Sequence, residues 1–214
     1  MLSILTQPIL QKLFTAGNMM MSAKSFDMVV IDFETTGAIE GHPNRPWQFA
    51  GIFFRNGKPV PEHRFSVYLK VPEEQPFNPY TPGRWASIRE KLSNAPTLPE
   101  LWPQLQPWLL GKVLVAHHAP TERTMLQSVF PFQTFGPWLD TLSMARKAYP
   151  SLSNFSLEAL IQSLNLEKKV QTICPDLEPH DAYYDSVACA YLLEHILTLP
   201  GWNQAQIEDL TRLK

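Results

Sequence analysis

Hydrophobic and polar positions along this chain follow first a strand period and then, increasingly, a helical one. The run Met28-Val29-Val30-Ile31 is apolar throughout, leads into Asp32-Phe33-Glu34 and stops at Thr35-Thr36-Gly37, which predicts a buried strand with a polar end. A second strand is predicted over 49–55, Asn56-Gly57 supplies a hairpin turn, and alternation from Arg64 to Val71 predicts an antiparallel third strand. Residues 72–107 are rich in proline yet keep helical stretches over 85–92 and 98–110, so short helices and loops are expected to cover one side of the sheet. Val113-Leu114-Val115-Ala116 and Trp138-Leu139-Asp140-Thr141 predict two more strands, the latter followed by a helix through Ala148. Helices are also predicted over 156–164 and 181–197, the second with Val187, Ala190, Leu193 and Leu197 at helical spacing. The expected fold class is α/β: a mixed five-stranded sheet, an antiparallel meander followed by parallel strands, flanked by helices.

A chain of 214 residues with 44% hydrophobic positions can bury one substantial core. Residues 1–25 are expected to form an N-terminal extension, disordered or a short helix, ahead of a single domain over 26–214. Eighteen Lys and Arg stand against 20 Asp and Glu, so bulk positive charge does not drive binding to long nucleic acid, although a local basic groove is still open. Cys174 and Cys189 are too few for a disulfide scaffold and form no zinc-ligand cluster. Charge or proline interrupts every apolar run well short of the roughly 18 residues of a membrane span. The expectation is a cytoplasmic protein that does not engage a membrane.

Candidate chemistry begins with Asp32 and Glu34, two apart on a strand, which points both carboxylates to one face with Cβ atoms about 7 Å apart. A metal ion between them can bridge that separation. An isolated pair of this kind is usually a solvated strand end. Here it follows four apolar residues, and open α/β sheets bind ligands at strand ends. Asp185 lies on the predicted C-terminal helix, five residues beyond His180; alone, that spacing also fits a surface histidine and a solvated aspartate.

In combination the motifs say more. Asp-Phe-Glu-Thr-Thr-Gly at 32–37, Val-Ala-His-His-Ala-Pro-Thr-Glu at 115–122, Asp-Thr-Leu at 140–142, Phe-Ser-Leu-Glu-Ala-Leu at 155–160 and His-Asp-Ala-Tyr-Tyr-Asp-Ser-Val-Ala at 180–188 occur in this order. Together they resemble the DEDDh (DnaQ-like) 3′ to 5′ exonucleases, which include polymerase proofreading subunits, ribonuclease T and oligoribonuclease. The resemblance covers about residues 27–197 and implies a ribonuclease-H-like sheet. It also implies that Asp32, Glu34, Asp185 and Glu122 hold two divalent ions, Mg²⁺ or Mn²⁺, and that His180 is the general base. Hard carboxylate oxygens suit such ions, and a neutral imidazole can accept a proton from the attacking water. Thr35, Thr36 and His117 match positions that face the terminal nucleotide; Phe33, between the two acids, is a further substrate-binding candidate, although an aromatic between positions i and i+2 of a strand normally packs in the core.

One motif departs from the family pattern. Where the family reads His-Asn followed four residues later by Asp, this chain has His117-His118 and Glu122. The carboxylate is kept but gains one methylene, about 1.5 Å of reach, against the strict octahedral demand of Mg²⁺. Three readings follow: a metal-dependent exonuclease releasing nucleoside 5′-monophosphates from the 3′ end of single-stranded DNA or RNA, a catalytically weakened module that binds nucleic-acid ends or a polymerase partner, or a phosphodiesterase acting on very short oligonucleotides or a small nucleotide conjugate. A homodimer or a polymerase partner is compatible with the family. The basic pairs Arg146-Lys147 and Lys168-Lys169 could meet phosphates, though such pairs usually mark solvated faces.

Overall fold

The structure, a computed structural model, describes residues 22–83 and 85–213. Most of the expected N-terminal extension, residues 1–21, therefore lies outside the described residues. Its described end, Ala23–Ser25, forms one 3₁₀ turn; Ala23 is fully buried and donates its N–H to the Ala205 carbonyl at 2.8 Å.

Five strands build one sheet in the order β3-β2-β1-β4-β5: β1 Met28–Thr35, β2 Pro46–Arg55, β3 Lys58–Tyr68, β4 Val113–Ala116 and β5 Trp138–Asp140. The first three pair antiparallel, and β4 and β5 add in parallel, which is the expected mixed sheet. Strand β3 begins six residues before the alternation at Arg64 suggests. Asn56 and Gly57 both take positive φ, 52° and 75°, and close a two-residue hairpin with Arg55 opposite Lys58. Pro59 and Pro61 argue against a strand, but β3 is an edge, where a missing N–H need leave no neighbour unpaired.

Helices close both faces. The helix α7, Ala182–Thr198, packs with Met28, Val30, Ala50, Ile52, Val113 and Val115, the positions whose side chains alternate to one side. Val29, Ile31, Phe33, Phe49 and Leu114 face the other side, where α2 (Trp102–Leu109) supplies Leu105 and Leu109 and α3 (Ala119–Val129) supplies Met125 and Leu126. The proline-rich segment contributes α1 (Trp85–Ser93) as well as α2; Leu92 of α1 packs on Trp47 and Val71. Helices α4 (Thr141–Ala148), α5 (Leu157–Ser163), α6 (Glu167–Ile173) and α8 (Ile207–Leu210) complete the described residues; α3, α6 and α8 are absent from the sequence expectation. Among the described residues no helix is long and apolar enough to cross a membrane. Cys174 and Cys189 are both free and buried.

Candidate active site

Alternation along β1 decides where the acids go. Met28 and Val30 face α7, so Asp32 and Glu34, two and four residues further, emerge on the same side at the carboxyl end of the strand. Asp185 stands in the first turn of α7 and meets them there, while Glu122 arrives from the first turn of α3. Carboxylate oxygens of Glu34 and Asp185 and a ring nitrogen of His180 all lie within 4.8 Å of one another. His180 is exposed at the rim, in a left-handed conformation with φ 69°, and its backbone N–H donates to Asp185 Oδ2 at 3.0 Å. The proline-rich segment reaches this mouth: a Cβ on Gly83 would lie 3.1 Å from the His180 carbonyl.

The electrostatics are those of an unneutralised acid cluster. Burial, then the charges of Asp185, Glu122, Glu34 and Asp181, push Asp32 well above the usual carboxylate range. Burial and the Asp185 charge raise Glu34 to about 8. Asp185 is raised to about 7, again chiefly by burial, with the His180 N–H and a hydrogen bond from Glu34 acting against it. Glu122, 4% exposed, is raised to about 8 by burial, and its Oε2 has no hydrogen-bond partner among the described residues. A buried carboxylate oxygen without a donor is costly unless something positive meets it. Hard oxygen donors, clustered and short of positive charge, fit a site for Mg²⁺ or Mn²⁺.

This arrangement has a consequence for stability. The folded protein retains protons on Glu34, Glu122 and Asp185 at pH values where unfolded carboxylates, titrating near 4, have lost them. That contribution is complete below about pH 4 and is lost as pH rises through about 7 to 8, because the unfolded chain then binds fewer protons. The melting temperature of metal-free protein is expected to fall from about pH 5 to about pH 8.5, and divalent ion is expected to restore it most at the upper end. Calorimetry in EDTA and in Mn²⁺ checks this; a melting temperature that climbs across that interval in EDTA would contradict it.

The residues expected at the terminal nucleotide fare differently. The Phe33 side chain turns to the opposite face of β1, where it is 6% exposed and stacks on Phe49 with ring centroids 3.9 Å apart, the core packing that strand alternation favours. Phe33→Ala should therefore act as a core truncation, costing about 3–5 kcal/mol in denaturant unfolding; a loss below about 1 kcal/mol would put the ring outside the core. Thr36 is held by the protein itself. It is fully buried, its Oγ1 accepts the Arg45 N–H at 3.0 Å and meets Asn44 Oδ1 at 3.4 Å, so the hydroxyl fastens the 36–45 loop. Gly37 follows at φ 77°, where a Cβ would run into Thr81 and Asn78.

His117 is held by its own neighbours. Its Nε2 lies 2.9 Å from the Phe155 carbonyl, which can only accept, so that nitrogen carries a proton, and Nδ1 lies 3.0 Å from Thr141 Oγ1. Burial lowers its pKa, consistent with a neutral ring held by the protein on both nitrogens. Thr35 ends β1 half-buried beside Glu34, its carbonyl accepting the Trp47 indole N–H at 3.1 Å. Asp140 accepts from the backbone of His118 and Leu142 and from Ser143 Oγ, and so ties the start of α3 to that of α4.

Sequence reasoning missed the clamp that aims α7. Gln48 Nε2 donates to Asp181 Oδ2 at 3.1 Å and its Oε1 accepts the Ala182 N–H at 3.2 Å, while Asp181 Oδ1 accepts from Tyr183 N at 3.0 Å. Asp181 is thus the N-cap of the helix that carries Asp185. The available signal was an aspartate directly before the periodic stretch.

Comparison with known proteins agrees with this geometry. The RNase T family model, described as exonuclease, matches residues 29–193. DNA polymerase III PolC-type of Bacillus cereus is 26% identical over 173 residues, covering 79% of this chain and 11% of the relative. A DNA polymerase III subunit epsilon-like protein of Rhodobacter capsulatus is 28% identical over 165 residues, 76% of this chain and 22% of its own length. The chain therefore spans about a tenth to a fifth of the length of these relatives. Among solved structures, the nuclease domain of 3′hExo, a DEDDh family member bound to rAMP, superposes with a TM-score of 0.67 at 16% identity, covering 86% of this chain and 98% of the other. Pop2p of S. pombe, in a Mg²⁺ and Mn²⁺ bound form, gives 0.66 at 11% identity, covering 96% and 92%. A family match across most of its length places this chain in the RNase T exonuclease family.

Proposed function

We propose that the chain hydrolyses phosphodiester bonds one at a time from the 3′ end of single-stranded DNA or RNA and releases nucleoside 5′-monophosphates. The observation that carries this reading is the grouping of Glu34, Asp185 and His180, whose ligand atoms lie within 4.8 Å of one another, with Asp32 feeling the charges of Asp185, Glu122 and Glu34 and with a buried Glu122 oxygen that has no donor among the described residues. Asp32, Glu34, Glu122 and Asp185 would hold two divalent ions, Mg²⁺ or Mn²⁺. When bound, such ions supply charge neutralisation and Lewis acidity at the scissile phosphate.

His180 is the proposed general base. Its left-handed backbone and the hydrogen bond from its N–H to Asp185 keep it at the open rim, where water and substrate arrive. In the proposed step the water oxygen attacks phosphorus while its proton passes to the imidazole. The bond from phosphorus to the 3′ oxygen of the preceding nucleotide breaks, and that oxygen leaves. Thr35 is the remaining candidate to face the terminal nucleotide, since Phe33, Thr36 and His117 are otherwise engaged. Likeness to polymerase III chains supports a polymerase as partner.

Chromatography of the products tests the bond that is cut. Incubation of single-stranded DNA and RNA with Mg²⁺ or Mn²⁺ should yield nucleoside 5′-monophosphates; nucleoside 3′-monophosphates would contradict the proposed step.

A further inference from the structure

A strand that brings its 3′ end to a group of acids needs attraction elsewhere, because the chain has a net charge of −2 and offers no bulk positive field. The structure contains a cleft of about 480 Å³ whose walls include His118, Arg123, Trp138, Arg146, Leu210 and Leu213. It opens where β4 gives way to α3 and β5 to α4, at the same edge of the sheet as the acids. Strand β5, which borders the cleft, is two places from β1, about 10 Å along the sheet.

Arg123 and Arg146 come from different helices, α3 and α4, and converge on this one cleft. Both are exposed, and neither is ion-paired among the described residues. Asp140, which also borders the cleft, is occupied by the donors of His118, Leu142 and Ser143. The other basic pair behaves differently: Lys169 is bound to Glu194 at 3.0 Å. Two forked guanidiniums beside an indole are the chemistry that follows a single strand, phosphates on the arginines and bases near an aromatic surface.

We infer that the Arg123–Arg146 cleft is a second subsite, which holds the phosphates of a single-stranded nucleic acid upstream of the 3′ end engaged at the acid cluster. The inference rests on the exonuclease reading and adds to it a preference for strands over dinucleotides. Arg123 follows Glu122 directly on α3, so one helix turn links the acid cluster to the strand's path.

The test compares the parent protein with the double variant Arg123→Ala, Arg146→Ala, using a dinucleotide and an oligothymidylate about ten nucleotides long. Equilibrium binding of the longer strand is measured in EDTA against salt concentration, and kcat/KM is measured for both substrates with Mn²⁺. Each single-strand phosphate contact contributes about 0.7 to the slope of log affinity against log salt, so two lost contacts should make the slope shallower by about 1.4. The variant's affinity for the longer strand should fall about tenfold, with kcat/KM on the dinucleotide unchanged. The double Arg→Lys variant, which keeps both charges, should retain the parent's slope. An alanine variant with the parent's slope and affinity overturns the inference while leaving the exonuclease reading standing; so does an equal loss on both substrates, which would place the effect at the acid cluster. A parent protein that neither binds nor cleaves either substrate overturns both.

Discussion

Asp32→Asn is expected to lower hydrolysis by at least about three orders of magnitude while making the metal-free protein harder to unfold near pH 8. The two effects have one cause. Asp32 sits among Asp185, Glu122, Glu34 and Asp181, all of which disfavour its charge. Replacing it with a neutral side chain of the same shape removes a buried like charge and relieves the others. The same replacement removes a hard anionic oxygen from the centre of the proposed ion site, where an amide is a poor substitute. Activity and stability therefore move in opposite directions, as expected where a site is held against the preference of the fold. Parallel melting curves and rate measurements check this; a variant that loses both together would mean that Asp32 serves the fold rather than the chemistry.

His180→Asn is expected to lower kcat by about two to four orders of magnitude with little change in ion affinity. Asparagine is the replacement of choice because position 180 has φ 69°, a conformation that asparagine tolerates and alanine does not. The turn and its N–H to Asp185 should survive, so the change isolates the imidazole. His180 also lies within 4.8 Å of the Glu34 and Asp185 oxygens, close enough for a ligand. Titration of Mn²⁺ into parent and variant separates the roles: unchanged affinity with lost turnover assigns proton transfer, whereas affinity lost in proportion to rate assigns ligation.

Much of this site was legible in the sequence because it depends on period. Alternation along β1 puts Asp32 and Glu34 on one face, and a helical start places Asp185 one turn inside α7. The same alternation sends Phe33 to the opposite face, where core packing was legible from its place between the two acids. Thr36 and His117 could not be read in this way. Their partners are Arg45, nine residues on, and Phe155, 38 residues on, and only the closed loops bring these together. Gln48 and Asp181 are further apart still, 133 residues, yet their contact aims the helix that carries Asp185. The early start of β3 was hidden by Pro59 and Pro61, whose cost depends on the edge position that topology alone reveals. Glu122 was legible as a carboxylate, but its burial and unpartnered oxygen were not.

The most direct measurement is a time course on single-stranded DNA and RNA, labelled in parallel at the 5′ and the 3′ end, in Mg²⁺, Mn²⁺ and EDTA. Metal-dependent hydrolysis from the 3′ end predicts that a 3′ label is released at once as mononucleotide, that a 5′ label persists on a ladder of shortening strands, and that EDTA stops both. Strands bound but left intact in either metal would contradict the account and assign the acid cluster to a nucleic-acid-binding module that has lost catalysis.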